Sequence, residues 1–191
     1  MKANIFLFRH GTTTDNAAGV FSGWRDVSLN DKGKRDAKIV ALRLKDKKIG
    51  IAFNSGMKRS IETLNEVLKF HPECTFVVED KRIKERSYGD LQGRTHVSVV
   101  EKEGVKKYDA WRRGYEVRAK GGESLKDVEV RVLDFLKDLI ELVKDKKVNV
   151  AISAHGNSMR AFRRYFEKLS VKEMTKLWND FELVYEYTIT V

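Results

Sequence analysis

Two histidines in this chain each follow an apolar segment and precede a glycine. Asn4-Ile5-Phe6-Leu7-Phe8 runs into Arg9-His10-Gly11, and Val148-Asn149-Val150-Ala151-Ile152-Ser153 runs into Ala154-His155-Gly156-Asn157. Both segments read as strands, and the carboxyl ends of strands in a parallel α/β sheet border the crevice where ligands bind. A neutral imidazole nitrogen at that edge can attack phosphorus and form a covalent phosphohistidine, splitting one difficult transfer into two easier ones. Its other ring nitrogen must then be held in one tautomer, normally by a backbone carbonyl. The phosphoryl oxygens also need fixed positive charge around them. Arg9 stands beside His10, and Arg59 falls in the first turn of the helix expected after the second strand, at the same edge. With His155 they could supply that charge. A metal site is the other use of paired histidines, but there is no His-Glu-x-x-His spacing, and Asp15 is the single carboxylate close to His10. No metal is expected. His71, beside Pro72, reads as a loop histidine.

The elements that must deliver these groups show as periodicity. Ala37, Val40, Ala41 and Leu44 fall at i, i+3, i+4 and i+7, with Asn30 placed to cap their helix. Ile61, Leu64, Val67 and Leu68 mark a helix after Asn54-Ser55-Gly56. A long amphipathic helix runs through Leu125, Val128, Val132, Phe135, Leu136, Leu139, Ile140 and Val143, opened by Ser124 with Asp127 three residues on. Further strands are expected at Ile49 to Phe53, Thr75 to Glu79, Val148 to Ser153 and Leu183 to Val191. This alternation argues for an α/β fold, a mostly parallel sheet covered on both faces. Residues 85–123 have weaker periodicity and several glycines, and read as an irregular excursion with one or two helices lying over the crevice. Residues 1–191 are expected to form one domain.

Composition narrows the function classes. Apolar residues make up 41% and charged residues 35% of 191 residues, which is globular rather than disordered. No apolar run is long enough for a bilayer span, no signal segment precedes the first strand, and Cys74 is the one cysteine, so a reduced, cytoplasmic setting is expected. The formal charge of +10 suits an anionic partner, nucleic acid or small phosphorylated molecules. Lysine clusters at 45–48 and 144–147 lie where helices should end and read as solvated helix termini. No nucleic-acid motif is present, so neither nucleic acid nor membrane is expected as a partner. Trp24, Trp111 and Trp178 read as packing residues.

Several blocks resemble one family in order. Arg9-His10-Gly11-Thr12-Thr13-Thr14-Asp15-Asn16, followed by Phe21-Ser22-Gly23-Trp24-Arg25-Asp26, is similar to the opening of the histidine phosphatase superfamily, in its cofactor-dependent phosphoglycerate mutase branch. Asn54-Ser55-Gly56-Met57-Lys58-Arg59-Ser60 resembles its Ser-x-x-x-Arg-Ala segment, and Glu85-Arg86-Ser87-Tyr88-Gly89-Asp90-Leu91-Gln92-Gly93 its Glu-Arg-x-Tyr-Gly-x-Leu-x-Gly segment. Trp111-Arg112-Arg113-Gly114, Gly122-Glu123-Ser124-Leu125, Ala154 to Arg160, and Leu183 to Tyr187 follow. The resemblance implies a three-layer α/β/α sandwich with a mixed, mostly parallel central sheet.

It also implies roles. His10 would be the phosphorylated nucleophile. Arg9, Arg59 and His155 would bind the transferred group, with Asn16 and Gly156 assisting. Glu85 would be the general acid and base, a task suited to a carboxyl with a raised pKa, although beside Arg86 it could instead form a surface ion pair. Thr13, Ser22, Gly23, Tyr88, Arg112, Arg113 and Asn157 would hold the rest of the substrate. His96 stands where the mutases carry a lysine, so it would grip an anion only when protonated. The implied reaction is interconversion of 3-phosphoglycerate and 2-phosphoglycerate in glycolysis and gluconeogenesis, primed by 2,3-bisphosphoglycerate. The alternative is a broad-specificity phosphatase of small phosphomonoesters. His96, a short stretch between Arg113 and Gly122, and an end at Val191 without a covering tail all lean that way. A binding module using the basic surface is a third reading. Edge-strand or helix contacts could build a homodimer.

Overall fold

A computed structural model describes residues 2–190, and strand order in it is set by where the most apolar segments go. In chain order the elements are β1 (Lys2–Arg9), α1 (Thr14–Ala17), α2 (Asp31–Leu44), β2 (Ile51–Asn54), α3 (Lys58–Leu68), β3 (Phe76–Glu79), α4 (His96–Glu103), α5 (Val105–Arg113), α6 (Leu125–Lys146), β4 (Val150–Ala154), α7 (Gly156–Glu167), α8 (Val171–Lys176) and β5 (Val184–Thr190). They build an α/β fold around a five-stranded sheet ordered β3-β2-β4-β1-β5. β2, β4 and β1 occupy the middle and are buried on both faces, as their unbroken apolar runs require. Neighbouring pairs are parallel except β5, which runs antiparallel to β1.

Alternate residues of each central strand feed different cores, as the two-residue period of a strand dictates. Ile5, Leu7, Ile51, Phe53, Val150 and Ile152 meet Val128, Val132, Phe135, Leu136 and Leu139 of α6 with Met159 and Phe162 of α7. Phe6, Phe8, Ala52 and Ala151 meet Val40, Ala41 and Leu44 of α2 with Leu64 and Val67 of α3. Burying one such side chain fully contributes about 1.5–3 kcal/mol, so these two layers carry most of the stability. Asn30 accepts the Gly33 N–H as the cap of α2, and Ser124 and Asp127 form a reciprocal capping box on α6. No described helix is long and apolar enough to cross a membrane.

Several expectations shift. The second and fourth strands begin at Ile51 and Val150, two residues later than the sequence suggests, because Gly50 and Ile51 N–H both turn toward the Asn149 carbonyl. β3 forms, but at the sheet edge, where Phe76, Val77 and Val78 are exposed. His71 does lie in a loop, yet it is buried, with Nδ1 at 3.2 Å from the Glu73 carboxylate. Trp24 and Trp178 are 49% and 63% exposed rather than packed; Trp111 does pack, within the excursion. Val191 lies outside the described residues.

The excursion holds α4 and α5, joined at Gly104, where φ is +82°. Phe21, Leu91, Val99 and Ala119 give it a small core of its own. One arginine braces it from within, and a second ties it to the helix layer on the sheet. Arg86 is fully buried and donates to the carbonyls of Glu123, Arg112 and Val117, so it is no surface partner of Glu85. Arg131 of α6 donates to the carbonyls of Arg82, Lys84 and Glu85 and to the Glu123 carboxylate. Replacing Arg86 by Met takes the donor from three part-buried carbonyls, and at about 1 kcal/mol net for each bond the loss should be roughly 3 kcal/mol. Urea unfolding measures it; a loss under about 1 kcal/mol would contradict this role.

Candidate active site

Parallel pairing sets the site. Arg9 is in register with Ala154, and the His10 N–H donates to the Ala154 carbonyl at 3.0 Å, so the residue after each strand arrives at the same edge. The rings of His10 and His155 are 4.9 Å apart between centroids, and both are buried. His10 Nδ1 lies 2.7 Å from the Gly11 carbonyl. A carbonyl can only accept, so Nδ1 carries the proton and Nε2 keeps its lone pair.

The loop that makes this bond is clamped from α2. A Cβ on Gly11 would come within 2.3 Å of the Gly33 carbonyl, and one on Gly33 within 1.9 Å of the Thr12 carbonyl. Only paired glycines permit that approach. Asp36, also on α2, accepts from the Thr12 N–H and hydroxyl and from Lys32.

Arg59 enters from the first turn of α3 and is almost wholly buried. Its Nη atoms donate to the carbonyls of Arg25 and Gly23. Arg9 donates to the Asn179 carbonyl and lies 3.8 Å over the ring of Phe181. Arg9 Nε, Arg59 Nε and His155 Nδ1 are buried side-chain nitrogens with no protein partner. Burial, then Arg59 and Arg9, hold His10 well below its ordinary value against the pull of the Gly11 carbonyl. Burial, Arg59 and His10 do the same to His155. Both rings are therefore neutral at neutral pH. Burial lowers Arg9 to about 10, against the attraction of Glu85.

Glu85 is buried. Its Oε1 accepts from the Arg86 N–H at 2.7 Å, from the Asn157 N–H at 3.2 Å and from Asn157 Nδ2 at 2.8 Å. Oε2 has no hydrogen bond among the described residues, which leaves it to give or take a proton.

A cavity of about 480 Å³ opens over these groups. Of the residues expected from sequence, Arg9, His10, Asn16, Ser22, Gly23, Arg59, Glu85, Tyr88, His96, Arg112, Gly156 and Asn157 line it. His155 is not among the lining residues, but its buried ring lies against that of His10. Thr13 and Arg113 do not line it. Thr13 spends its hydroxyl capping α1 with Asn16, and Arg113 ends α5 with its side chain in solvent. His96 does line it, but burial and Arg112 push it down to about 4, so it faces the cavity neutral, its ring on Phe21. The sequence reading missed Thr12, Lys32, Arg160, Trp178, Asn179 and Phe181, which also line the cavity. Arg160 lay inside a quoted block; the segment 177–182 has no periodicity to announce it.

Residues 5–188 match the family model of the histidine phosphatase superfamily (branch 1). A 2,3-bisphosphoglycerate-dependent phosphoglycerate mutase of Cytophaga hutchinsonii is 37% identical over 170 residues, covering 89% of this chain and 80% of that protein. A phosphoglycerate mutase from Bacillus anthracis, 22% identical, superposes with a TM-score of 0.82 over 98% of this chain and 88% of its own; at that identity it shows the fold. A mycobacterial glucosyl-3-phosphoglycerate phosphatase complexed with VO3 superposes at 0.79, is 27% identical and covers 93% of this chain and 88% of its own.

Neutral buried histidines give stability a pH signature. The unfolded chain binds protons at these imidazoles below about pH 6.5, whereas folded His10, His155 and His96 resist until lower pH. Stability should be complete above about pH 6.5 and fall as the pH drops toward 5, with a smaller slope in His96→Gln. Urea unfolding at pH 7.5 and 5 tests this; identical slopes in wild type and variant would contradict it.

Proposed function

The chain belongs to the histidine phosphatase superfamily (branch 1) and is an enzyme of phosphohistidine chemistry, and we propose that its reaction is the interconversion of 3-phosphoglycerate and 2-phosphoglycerate. The observation that carries this reading is the set of buried donors without protein partners, Arg9 Nε, Arg59 Nε and His155 Nδ1, grouped around an imidazole whose Nε2 lone pair is free. Such a set suits the oxygens of a phosphoryl group. Arg112 and Arg160, from α5 and α7, line the same cavity and suit a glycerate carboxylate or second phosphate, which a guanidinium can bind bidentately.

On this reading His10 Nε2 attacks phosphorus as the bond to the substrate oxygen breaks, and Glu85 Oε2 protonates that oxygen. In the converse step the free hydroxyl of a bound monophosphoglycerate attacks phosphorus, the N–P bond breaks, Glu85 takes the hydroxyl proton, and the 2,3-bisphosphoglycerate so formed gives its other phosphoryl group back to His10. Arg9, Arg59 and His155 hold the phosphoryl oxygens in both steps; Asn157 fixes Glu85 through Oε1. The donor set also fits 2,3-bisphosphoglycerate, which would supply the first phosphoryl group. Asn16, Ser22, Gly23 and Tyr88 complete the substrate contacts. The enzyme would serve glycolysis and gluconeogenesis in the cytoplasm.

Hydrolysis of a phosphomonoester is the second reading, and a neutral His96 with an outward Arg113 favours it: both subtract positive charge from the grip on glycerate. Purified protein given 3-phosphoglycerate should form 2-phosphoglycerate, faster with catalytic 2,3-bisphosphoglycerate, and release phosphate more slowly. Free phosphate with no 2-phosphoglycerate would overturn the mutase reading. His10→Ala should lose at least about a thousandfold in kcat for either reaction; retained turnover would remove His10 as nucleophile.

A further inference from the structure

Ser55 lies in the same strand-end segment as Arg59, one residue past β2, and the reaction just described leaves it without a task. It is fully buried, and its Oγ is 2.7 Å from Nε2 of His155. The same Oγ accepts the backbone N–H of Met57 at 3.3 Å. An N–H can only donate, so this bond uses an oxygen lone pair and leaves the hydroxyl hydrogen to be placed. His155 Nε2 is the one acceptor for it among the described residues. The proton of the neutral ring must then sit on Nδ1, the atom that is buried and has no protein partner.

The position of the hydroxyl is itself fixed. The Ser55 N–H donates to Ser60 Oγ, Ser60 Oγ donates to the Ser153 carbonyl, and Ser153 Oγ donates back to the Ser60 carbonyl. Ser153 lies two residues before His155. The three serines therefore lock the strand end that carries Ser55 to the strand that carries His155, with α3 and its Arg59 between them.

We propose that Ser55 is a positioning residue, whose hydroxyl fixes His155 in the Nδ1–H tautomer so that this ring gives a hydrogen bond to the phosphoryl group instead of opposing it with a lone pair. The inference rests on the phosphoryl-transfer reading of the site. The alternative tautomer would carry its proton toward Ser55 and face the phosphoryl oxygens, as negative charge gathers there, with an unshared electron pair. That arrangement is repulsive, and it would hurt most in the transition state. A doubly protonated ring would also donate from Nδ1. But burial, Arg59, His10, Arg131 and Arg9 all work against it, and no carboxylate touches the ring. The tautomer, not a charge, is what this pocket can control.

Nitrogen NMR of uniformly labelled protein at neutral pH reads the tautomer directly, with the His155 signals assigned by their loss in His155→Asn. The wild-type protein without ligand should show Nδ1 protonated and Nε2 bare. Ser55→Ala should shift His155 toward the other tautomer or a mixture, and lower kcat about 10–100-fold, the order found when the partner that orients a metal-bound histidine is lost. Ser55→Thr, which keeps the hydroxyl, should restore both the wild-type tautomer and most of the rate. The rate is followed with p-nitrophenyl phosphate as well as 3-phosphoglycerate, so a protein that hydrolyses but does not isomerise would sink the mutase reading and leave this one standing. A protonated Nε2 in the wild-type spectrum overturns the proposal, and this needs no variant to fold. So does Ser55→Ala that keeps the wild-type tautomer and rate.

Discussion

The site depends on keeping a nucleophilic imidazole neutral inside a shell of buried guanidinium groups. A protonated His10 would have no lone pair on Nε2 and would also face Arg9 and Arg59 with like charge. Burial and those same arginines hold the ring neutral, while the Gly11 carbonyl accepts the hydrogen bond of Nδ1–H. The cations that would receive the phosphoryl group are thus the ones that prepare its acceptor. One arrangement of charge serves both ends.

The rest of the fold can be understood as holding that arrangement in place. β1 and β4 are central and in register, so their terminal histidines touch. α2 presses a glycine against the loop of His10, α3 delivers Arg59, and α6 sends Arg131 to the carbonyls around Glu85. Asn179, from the aperiodic segment after α8, accepts from Arg9 and donates to the Gly156 carbonyl, joining the two histidine loops from outside the sheet. These contacts are backbone-directed, which fixes geometry without adding compensating charge to the pocket.

Residues tied to local pattern were legible in the sequence. The caps at Asn30 and Ser124, the apolar faces of α2 and α6, and the strand-end histidines with Arg59 all follow from spacing within a single element. What depends on contacts between distant segments was not. Trp178 and Phe181 reach the cavity because the chain after α8 folds back over Arg9, and no periodicity records that. A surface ion pair with Glu85 was the alternative open to Arg86, and only the path of residues 112–123 shows why it is buried. Thr13 and Arg113 failed as cavity residues for a related reason. Motif adjacency puts a residue near a site, but the turn of α1 and the end of α5 decide which way the side chain faces.

The central claim is that phosphorus bonds to one particular nitrogen. Protein mixed with a phosphorylated substrate, quenched in alkali within the first turnovers and digested for mass spectrometry, reports this directly. The account predicts one phosphoryl group, stable to alkali and lost in acid, on the peptide that contains His10. A phosphorylated peptide elsewhere, or turnover with no phosphorylated peptide at any quench time, would contradict it.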